Sequence, residues 1–237
     1  MLKLLEQDIE KTCDENDIYE NLLSLDGKEI LELGCGKAEA TRLIATTGHD
    51  RRITATEVDE IQHKRNVSSN DLVNVAFVLA GSESLPFANE SFDIVLLFKS
   101  LHHVPTELLG TAIKEINRVL RPGGFVYISE PLFQGEFNDI LRLFHDEEIV
   151  RAEAFRAVKT CVERGSFALV EELFFNTRKT FRSFEEFEND VIHVTHSPHD
   201  LTEELHARVK ERFLSHLKAD GVHFLTPSRV DLLKKIL

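Results

Sequence analysis

The chain has 237 residues, a hydrophobic fraction of 42%, a charged fraction of 29% and a formal net charge of -13 from 28 basic and 41 acidic residues. That length buries a full core without staples, no apolar run reaches the length of a bilayer span, and the net charge opposes attraction to phosphate backbones, which sets nucleic acid aside as a substrate. Cys13, Cys35 and Cys161 lie far apart with no CxxC pair, so no disulfide framework or zinc knuckle is indicated, and the acids mixed early into "MLKLLEQDIEKTCDEND" argue against a secretory leader; a cytoplasmic protein is expected.

Residues 3 to 23 alternate apolar and charged positions at roughly helical spacing, which predicts an amphipathic N-terminal helix or two. From Lys28 the rhythm changes to short β-rich runs, "EILEL", "RITATEV", "VAFVLA", "FDIVLLF" and "GFVYISE". The run "IVLLF" reads as a strand buried on both faces. Between these runs lie "AEATRLIATT", "DEIQHKRN" and "PTELLGTAIKEINRVL", the last with Leu108, Leu109, Ala112, Ile113 and Ile116 along one helical face. Strand and helix alternate, so the core is predicted to be α/β, a doubly wound and mostly parallel sheet.

After Pro131 a mostly helical stretch is expected from about Glu136 to Glu163, with Gly165 as its stop signal. "FALVEELFF" then reads as a strand. Asp200 with Glu203 offers a capping box for a helix to about Lys218, followed by Gly221, and "SRVDLLKKI" is the closing strand. No repeat or linker marks a second domain, so residues 1–237 are read as a single domain.

The stretch "ILELGCGKAEATRLI" carries the strongest signal. An apolar strand breaks into Gly34-Cys35-Gly36 and resumes as a helix, a turn that lets a ligand approach the backbone beside a helix N-terminus. In an open parallel sheet, ligands bind beyond the carboxyl ends of the strands, and an acid about 20 residues on, here Glu57, is the usual partner of a ribose diol. A dinucleotide fingerprint needs a third glycine where this chain has Glu39, an acid that would repel a diphosphate, so NAD is disfavoured. An acid-lined pocket containing Glu32 instead suits a cationic nucleoside.

These segments together resemble class I S-adenosylmethionine-dependent methyltransferases, the group that includes quinone-biosynthesis enzymes. "ILELGCGKAEAT" is similar to their first motif, "TATEVDE" to their ribose-binding strand end, and "AGSESLPFANESFDIVLLFKSLHHV" with "INRVLRPGGFVYISEP" to the segments through the fourth and fifth strands. The resemblance covers residues 28–131 and implies a Rossmann-like fold with a terminal antiparallel strand. It also implies S-adenosylmethionine as cofactor, S-adenosylhomocysteine as product and a small-molecule acceptor.

By that resemblance Glu32, Gly34, Cys35 and Gly36 border the methionine end, Glu57 binds the ribose and Val58 lies against adenine. Gly81, Ser82 and Glu83 flank the ring, and Phe98, Lys99 and Ser100 line the pocket after the fourth strand. Residues 1–26 and 132–218 are expected to build the acceptor pocket as a helical lid. Two departures stand out: the family often has Gly where this chain has Ala38, and Asp, contacting the adenine amino group, where it has Gly81.

Several residues also have plain structural readings. "RPGG" is ordinary turn chemistry, "LPF" is packing, and Cys35 is explained by its small size. His102 and His103 follow the fourth strand. His103 is the candidate general base, although a hydrogen-bonded packing role fits either histidine. His193, His196 and His199 in "HVTHSPH" suggest a metal by count only, because Pro198 breaks any common helical face, and no metal is expected. The Phe-rich segments "FALVEELFF" and "FRSFEEFEND" suit either an apolar pocket or a core. A non-catalytic binding protein of the same fold is the alternative reading.

Overall fold

The computed structural model describes residues 2–193 and 201–236. In chain order these form α1 (Glu15–Leu22), β1 (Glu29–Leu33), α2 (Glu39–Thr46), β2 (Arg52–Glu57), α3 (Glu60–Ser68), β3 (Val75–Leu79) and β4 (Phe92–Phe98). They continue as α4 (Leu109–Val119), β5 (Leu120–Pro131), α5 (Glu136–Leu141), α6 (Glu148–Glu163), β6 (Phe167–Phe181), α7 (Phe184–Phe187), α8 (Glu203–Leu214) and β7 (Val222–Lys235). Single 3-10 turns at Leu101–His103 and Thr106–Leu108 lead from β4 into α4, and a π turn at Glu188–Ile192 follows α7. Among the described residues, no helix is long and apolar enough to cross a membrane.

The strand order is β3-β2-β1-β4-β5-β7-β6. β1, β2, β3, β4 and β5 pair in parallel, and β7 runs antiparallel between β5 and β6. The chain therefore reverses direction across the sheet between β1 and β4, which leaves a crevice beyond their carboxyl ends. β4 is buried along almost its whole length, as its unbroken apolar run requires. One face of the sheet packs Leu31, Val95 and Val126 against Leu109 and Ile116 of α4 and Val158 of α6. The other packs Ile30, Ile53 and Leu96 against Ile18 and Tyr19 of α1 and Ile44 of α2. A third cluster joins the far ends of β6 and β7 to α7 and α8 through Phe181, Phe184, Phe187, Phe213 and Phe224. The aromatic residues of "FRSFEEFEND" are thus core residues of the helical part.

Three expectations need correction. The helical spacing of residues 3 to 23 is realised only in α1. The residues before it are not helical, because their backbone groups find partners along the sheet edge. Asn176 N donates to Lys11 O at 2.8 Å, and Cys13 N donates to Asn176 O at 3.1 Å. The Asn176 amide nitrogen donates to Ile9 O at 2.9 Å, and Lys3 N donates to Glu172 Oε1 at 2.7 Å. This strap covers part of an edge that would otherwise expose unpaired groups.

The mostly helical stretch expected from Glu136 to Glu163 is present as two helices, α5 and α6, and Asp146 accepts from Glu148 N at 3.0 Å where the second begins. "RPGG" lies inside β5 at a register shift against β4 rather than before the strand. α8 ends at Leu214, short of Lys218; its cap is Thr202, whose hydroxyl accepts from Leu205 N, whereas Asp200 lies outside the described residues. Gly165 does end α6: its N–H donates to Val162 O and that of Ser166 to Cys161 O, both at 3.0 Å.

Asn176→Ala should cost about 1 kcal/mol of stability, because Ile9 O loses its donor. Amide exchange in residues 3–13 should quicken while that in β1 and β4 stays slow. Unchanged exchange in the strap would show that Asn176 does not hold it.

Candidate active site

The turn after β1 is built by backbone geometry. Gly34 and Gly36 have φ of +70° and +52°, and Ala38, which ends the turn, has φ of +59°. A Cβ on Gly34 would lie 2.8 Å from the Ser100 Cβ, so this position requires glycine for both space and conformation. A Cβ on Gly36 would meet nothing within 4 Å, so its surface faces open space. Ala38 adopts the conformation that the glycine of the family favours, and its buried methyl packs with Ala55 and Phe77. α2 begins without a side-chain cap.

Glu57, the last residue of β2, pins this turn. Its Oε2 accepts from Gly36 N at 2.7 Å, and its Oε1 accepts from Val58 N at 2.8 Å and Asp59 N at 3.0 Å. Each carboxylate oxygen has two lone-pair sites, so Oε2 keeps one for an incoming hydroxyl. Val58 beside it is 67% exposed, an apolar surface open to a ring. From below, the buried Asn66 of α3 donates to Gly36 O at 2.7 Å and to the Cys35 sulfur at 3.5 Å. Burial pushes the Cys35 thiol well above its ordinary range, so it is inert, as its size-based reading implies.

Glu32 is buried and accepts from the Thr41 hydroxyl at 2.6 Å. Burial, with the charge of Glu57, raises its pKa to about 7, although the Thr41 hydrogen bond works against the rise. A cation placed in this crevice would favour its charged form.

Ser82 is buried and Glu83 half-buried in the turn after β3. Gly81 has no side chain, yet the Glu83 carboxylate folds back over it, and a Cβ on Gly81 would run into that carboxylate. An acid thus occupies the space beside residue 81, supplied from two residues further along.

At the end of β4, Phe98 packs against Tyr19 and Tyr127 with ring centroids 5.5 and 5.6 Å apart. Lys99 has φ of +54°, a strained conformation for a residue with a side chain, and its ammonium lies 3.4 Å from Glu15 Oε2. The Ser100 hydroxyl donates to Leu33 O at 2.7 Å and ties β4 to the glycine turn.

The two histidines have different surroundings. His103 is exposed, with its ring centroid 4.1 Å from that of His102. His102 is buried; its Nδ1 bonds Glu130, and its Nε2 lies 3.5 Å from Glu147 Oε1. Burial lowers the His102 pKa, but the two carboxylates outweigh it and raise the value to about 9. Burial raises that of Glu147, yet His102 and Arg151 together hold it well below the ordinary carboxylate range. His102, His103 and Glu147 each offer a ligand atom within 4.8 Å of the others, a grouping absent from the sequence reading. Arg151 lies 2.5 Å from Glu147 Oε2, so Glu147 is shared between the histidine and the guanidinium in one ion-pair network. Of the other histidine motif, His193 follows the π turn, and His196 and His199 lie outside the described residues.

Residues 31–128 match the family model described as "Methyltransferase domain". This chain carries a methyltransferase domain over residues 31–128. It is similar to the phthiotriol/phenolphthiotriol dimycocerosates methyltransferase 1 of Mycobacterium ulcerans, at 32% identity over 108 residues, covering 46% of this chain and 39% of that one. The O-methyltransferase rstn1 of Aspergillus nomiae is 36% identical over 118 residues, covering 48% and 51%. The chain therefore spans about two fifths to one half of the length of these curated relatives. A solved S-adenosylmethionine-dependent methyltransferase of Methanosarcina mazei shares the fold, with 18% identity, TM-score 0.55 and coverage of 93% of this chain and 97% of that one.

The methyltransferase domain brings Glu32, Gly34, Cys35, Gly36 and Glu57 around one crevice, with Phe98, Lys99 and Ser100 at the next strand end. Sequence reasoning missed Asn66, Thr41, Glu147 and Arg151. Asn66 had a signal: α3 lacks an apolar stripe, and Asn66 is the residue it buries. Glu147, at the N-cap of α6, and Arg151 stand four apart, spacing equally common on solvated helices.

His102→Gln tests the buried network. His102 has a folded-state pKa raised from 6.5 to about 9, so its contribution is full below 6.5 and is lost as pH rises through about 9. The melting temperature of the parent protein should fall by about 5–10 °C from pH 6.5 to 9 through this group. In His102→Gln that limb should flatten; equal slopes in both proteins would remove the network from the stability account.

Proposed function

We propose that this chain transfers a methyl group from S-adenosylmethionine to a small molecule, in the reducing environment that its three separate thiols suit. The observation that carries the reading is the Gly34–Gly36 turn held by Glu57. It joins open backbone at Gly36, a carboxylate with a free lone pair and the exposed Val58 on one wall. Glu57 would accept from the ribose hydroxyls, Val58 would carry the adenine, and Glu83 would accept from the adenine amino group in place of the absent aspartate. Glu32 would answer the cationic end of the cofactor, and Phe98, Lys99 and Ser100 would close the methionine side. Gly34 and Cys35 shape the turn, while Gly81 and Ser82 position Glu83.

The cofactor carries an activated methyl, so the chain's own residues chiefly align the acceptor and exclude water. Residues 132–218 supply most of the walls for this, and α1 (within residues 1–26) covers the strand ends through Tyr19 on Phe98 and Glu15 at Lys99. His103 would take a proton where the acceptor needs a base, a reading supported by His102 being buried between two carboxylates that favour its protonated form. The net charge of -13 argues for small molecules over nucleic acid.

Calorimetry with S-adenosylhomocysteine should show saturable binding, weakened by about 1.5–3 kcal/mol in Glu57→Ala, the scale of hydrogen bonds to a charged group. No binding by the parent would overturn the assignment, and retained affinity in a folded Glu57→Ala would move the ribose site elsewhere.

With a methyl acceptor in hand, His103→Ala should lower turnover by about 10²- to 10⁴-fold while leaving S-adenosylhomocysteine affinity unchanged. Loss of cofactor binding together with thermal stability would make His103 a packing residue. A chain that binds the cofactor yet turns over no acceptor would be the non-catalytic alternative.

A further inference from the structure

Beyond the ends of β4 and β5 lies a cleft of about 380 Å³, walled by Lys99, Arg151, Arg178 and Lys179 together with apolar residues such as Phe137 and Leu141. Among the described residues no acid lines it. In a chain with 41 acidic and 28 basic residues, a wall of four cations and no carboxylate runs against the composition.

Two of these cations have no ion-pair partner among the described residues. The Lys179 ammonium makes neither a hydrogen bond nor a salt bridge there; it lies 4.6 Å from the centroid of the Phe137 ring and 5.6 Å from that of Phe181. Arg178 is exposed, and as the strand neighbour of Lys179 it turns its side chain to the other face of β6. Lys179 is also disfavoured as a free cation: burial, then the charge of Lys99, lower its pKa, with Asp190 opposing from outside ion-pair range. Arg151 is anchored by Glu147, by Leu132 O at 3.1 Å and by Asn138 Oδ1 at 3.1 Å, yet its buried Nε has no hydrogen-bond partner among the described residues. An unpaired buried donor and a half-buried unpaired ammonium are costly unless something accepts from them.

We propose that this cleft binds the methyl acceptor as an amphipathic anion, with a carboxylate or similar oxyanion against Lys179 and Arg151 and an apolar body on Phe137 and Leu141. The inference rests on the proposed methyl transfer and names its substrate class. Geometry places the cleft suitably, because Lys99 belongs both to its wall and to the strand end beside Ser100 and the glycine turn. An anion here would also offset cationic charge near a sulfonium donor, which bare lysine and arginine side chains would otherwise repel.

The test uses a matched pair of fluorescent probes, 8-anilinonaphthalene-1-sulfonate and N-phenyl-1-naphthylamine, which share a ring system and differ in the sulfonate. The full chain should bind the anion at one site at least about tenfold more tightly than the neutral probe. Lys179→Met should weaken the anion by about tenfold, the lower end for one charged hydrogen bond, and leave the neutral probe unchanged, whereas Lys179→Arg should keep the anion selectivity. Methionine keeps the contact with Phe137 and arginine keeps the charge, so at least one variant remains folded and informative. Lys64→Met, on the remote α3, should change neither probe.

Equal affinity for the two probes, or parent-like binding of the anion by a folded Lys179→Met, would overturn the proposal. Calorimetry with S-adenosylhomocysteine on the same samples separates the two readings. Cofactor binding without anion selectivity removes only the substrate class, whereas anion selectivity without cofactor binding removes methyl transfer and leaves an anion cleft.

Discussion

The hydrogen bond from Gly36 N to the Glu57 carboxylate is the contact on which the site depends. It crosses from the turn after β1 to the end of β2, strands whose pairing is parallel and whose ends therefore finish side by side. A parallel ladder brings no side chain of its own to that end, so the crevice would be shapeless without a tether. Glu57 supplies one from above by accepting three backbone N–H groups, and Asn66 supplies another from below through Gly36 O. Because a charged acceptor holds the turn, the loop is organised before a ligand arrives, which reduces the ordering cost that binding must meet.

Charge is distributed in two compartments around the end of β4. On the β1–β2 side the crevice is acidic, with Glu32 and Glu57 within reach of one another and the raised pKa of Glu32 reporting both burial and that neighbour. On the β5 side the walls are cationic. Lys99 stands at the boundary in a left-handed conformation, tethered to Glu15 of α1. Opposite charges on the two sides suit a cationic donor on one and an anionic acceptor on the other, with the acceptor's approach directed by the same field.

The network of His102, Glu130, Glu147 and Arg151 links these compartments to the helical part. Glu130 receives Leu101 N at 2.9 Å besides His102, which holds the turn after β4 against the end of β5. Glu147 ties that turn to α6, and Arg151 carries the tie on to Leu132 and Asn138. A buried chain of alternating charges is costly to desolvate, but removing one member leaves the next uncompensated, so such a chain fixes the relative placement of its parts. The strand ends, the turn carrying His103 and the cleft wall at Arg151 are thereby positioned together.

Period and punctuation in the sequence determined the parallel core. Alternating strand and helix patterns, the glycine turn and the acid at residue 57 are local signals, and each of β1 to β4 appears where its apolar run lies. The N-terminal spacing misled because hydrophobic periodicity says nothing of a sheet edge, 160 residues or more away, that offers backbone partners. "FRSFEEFEND" was ambiguous for a related reason: only the packing of β6 and β7 against α7 and α8 decides that its rings fill a core. Glu83 standing beside Gly81 required a backbone turn to be seen. The cationic cleft gathers Lys99, Arg151 and the adjacent Arg178 and Lys179 from three separate places, the turn after β4, α6 and β6. Unpaired cations dispersed in an acidic chain read as solvated surface, and only tertiary contact can bring them to one wall while keeping acids off it.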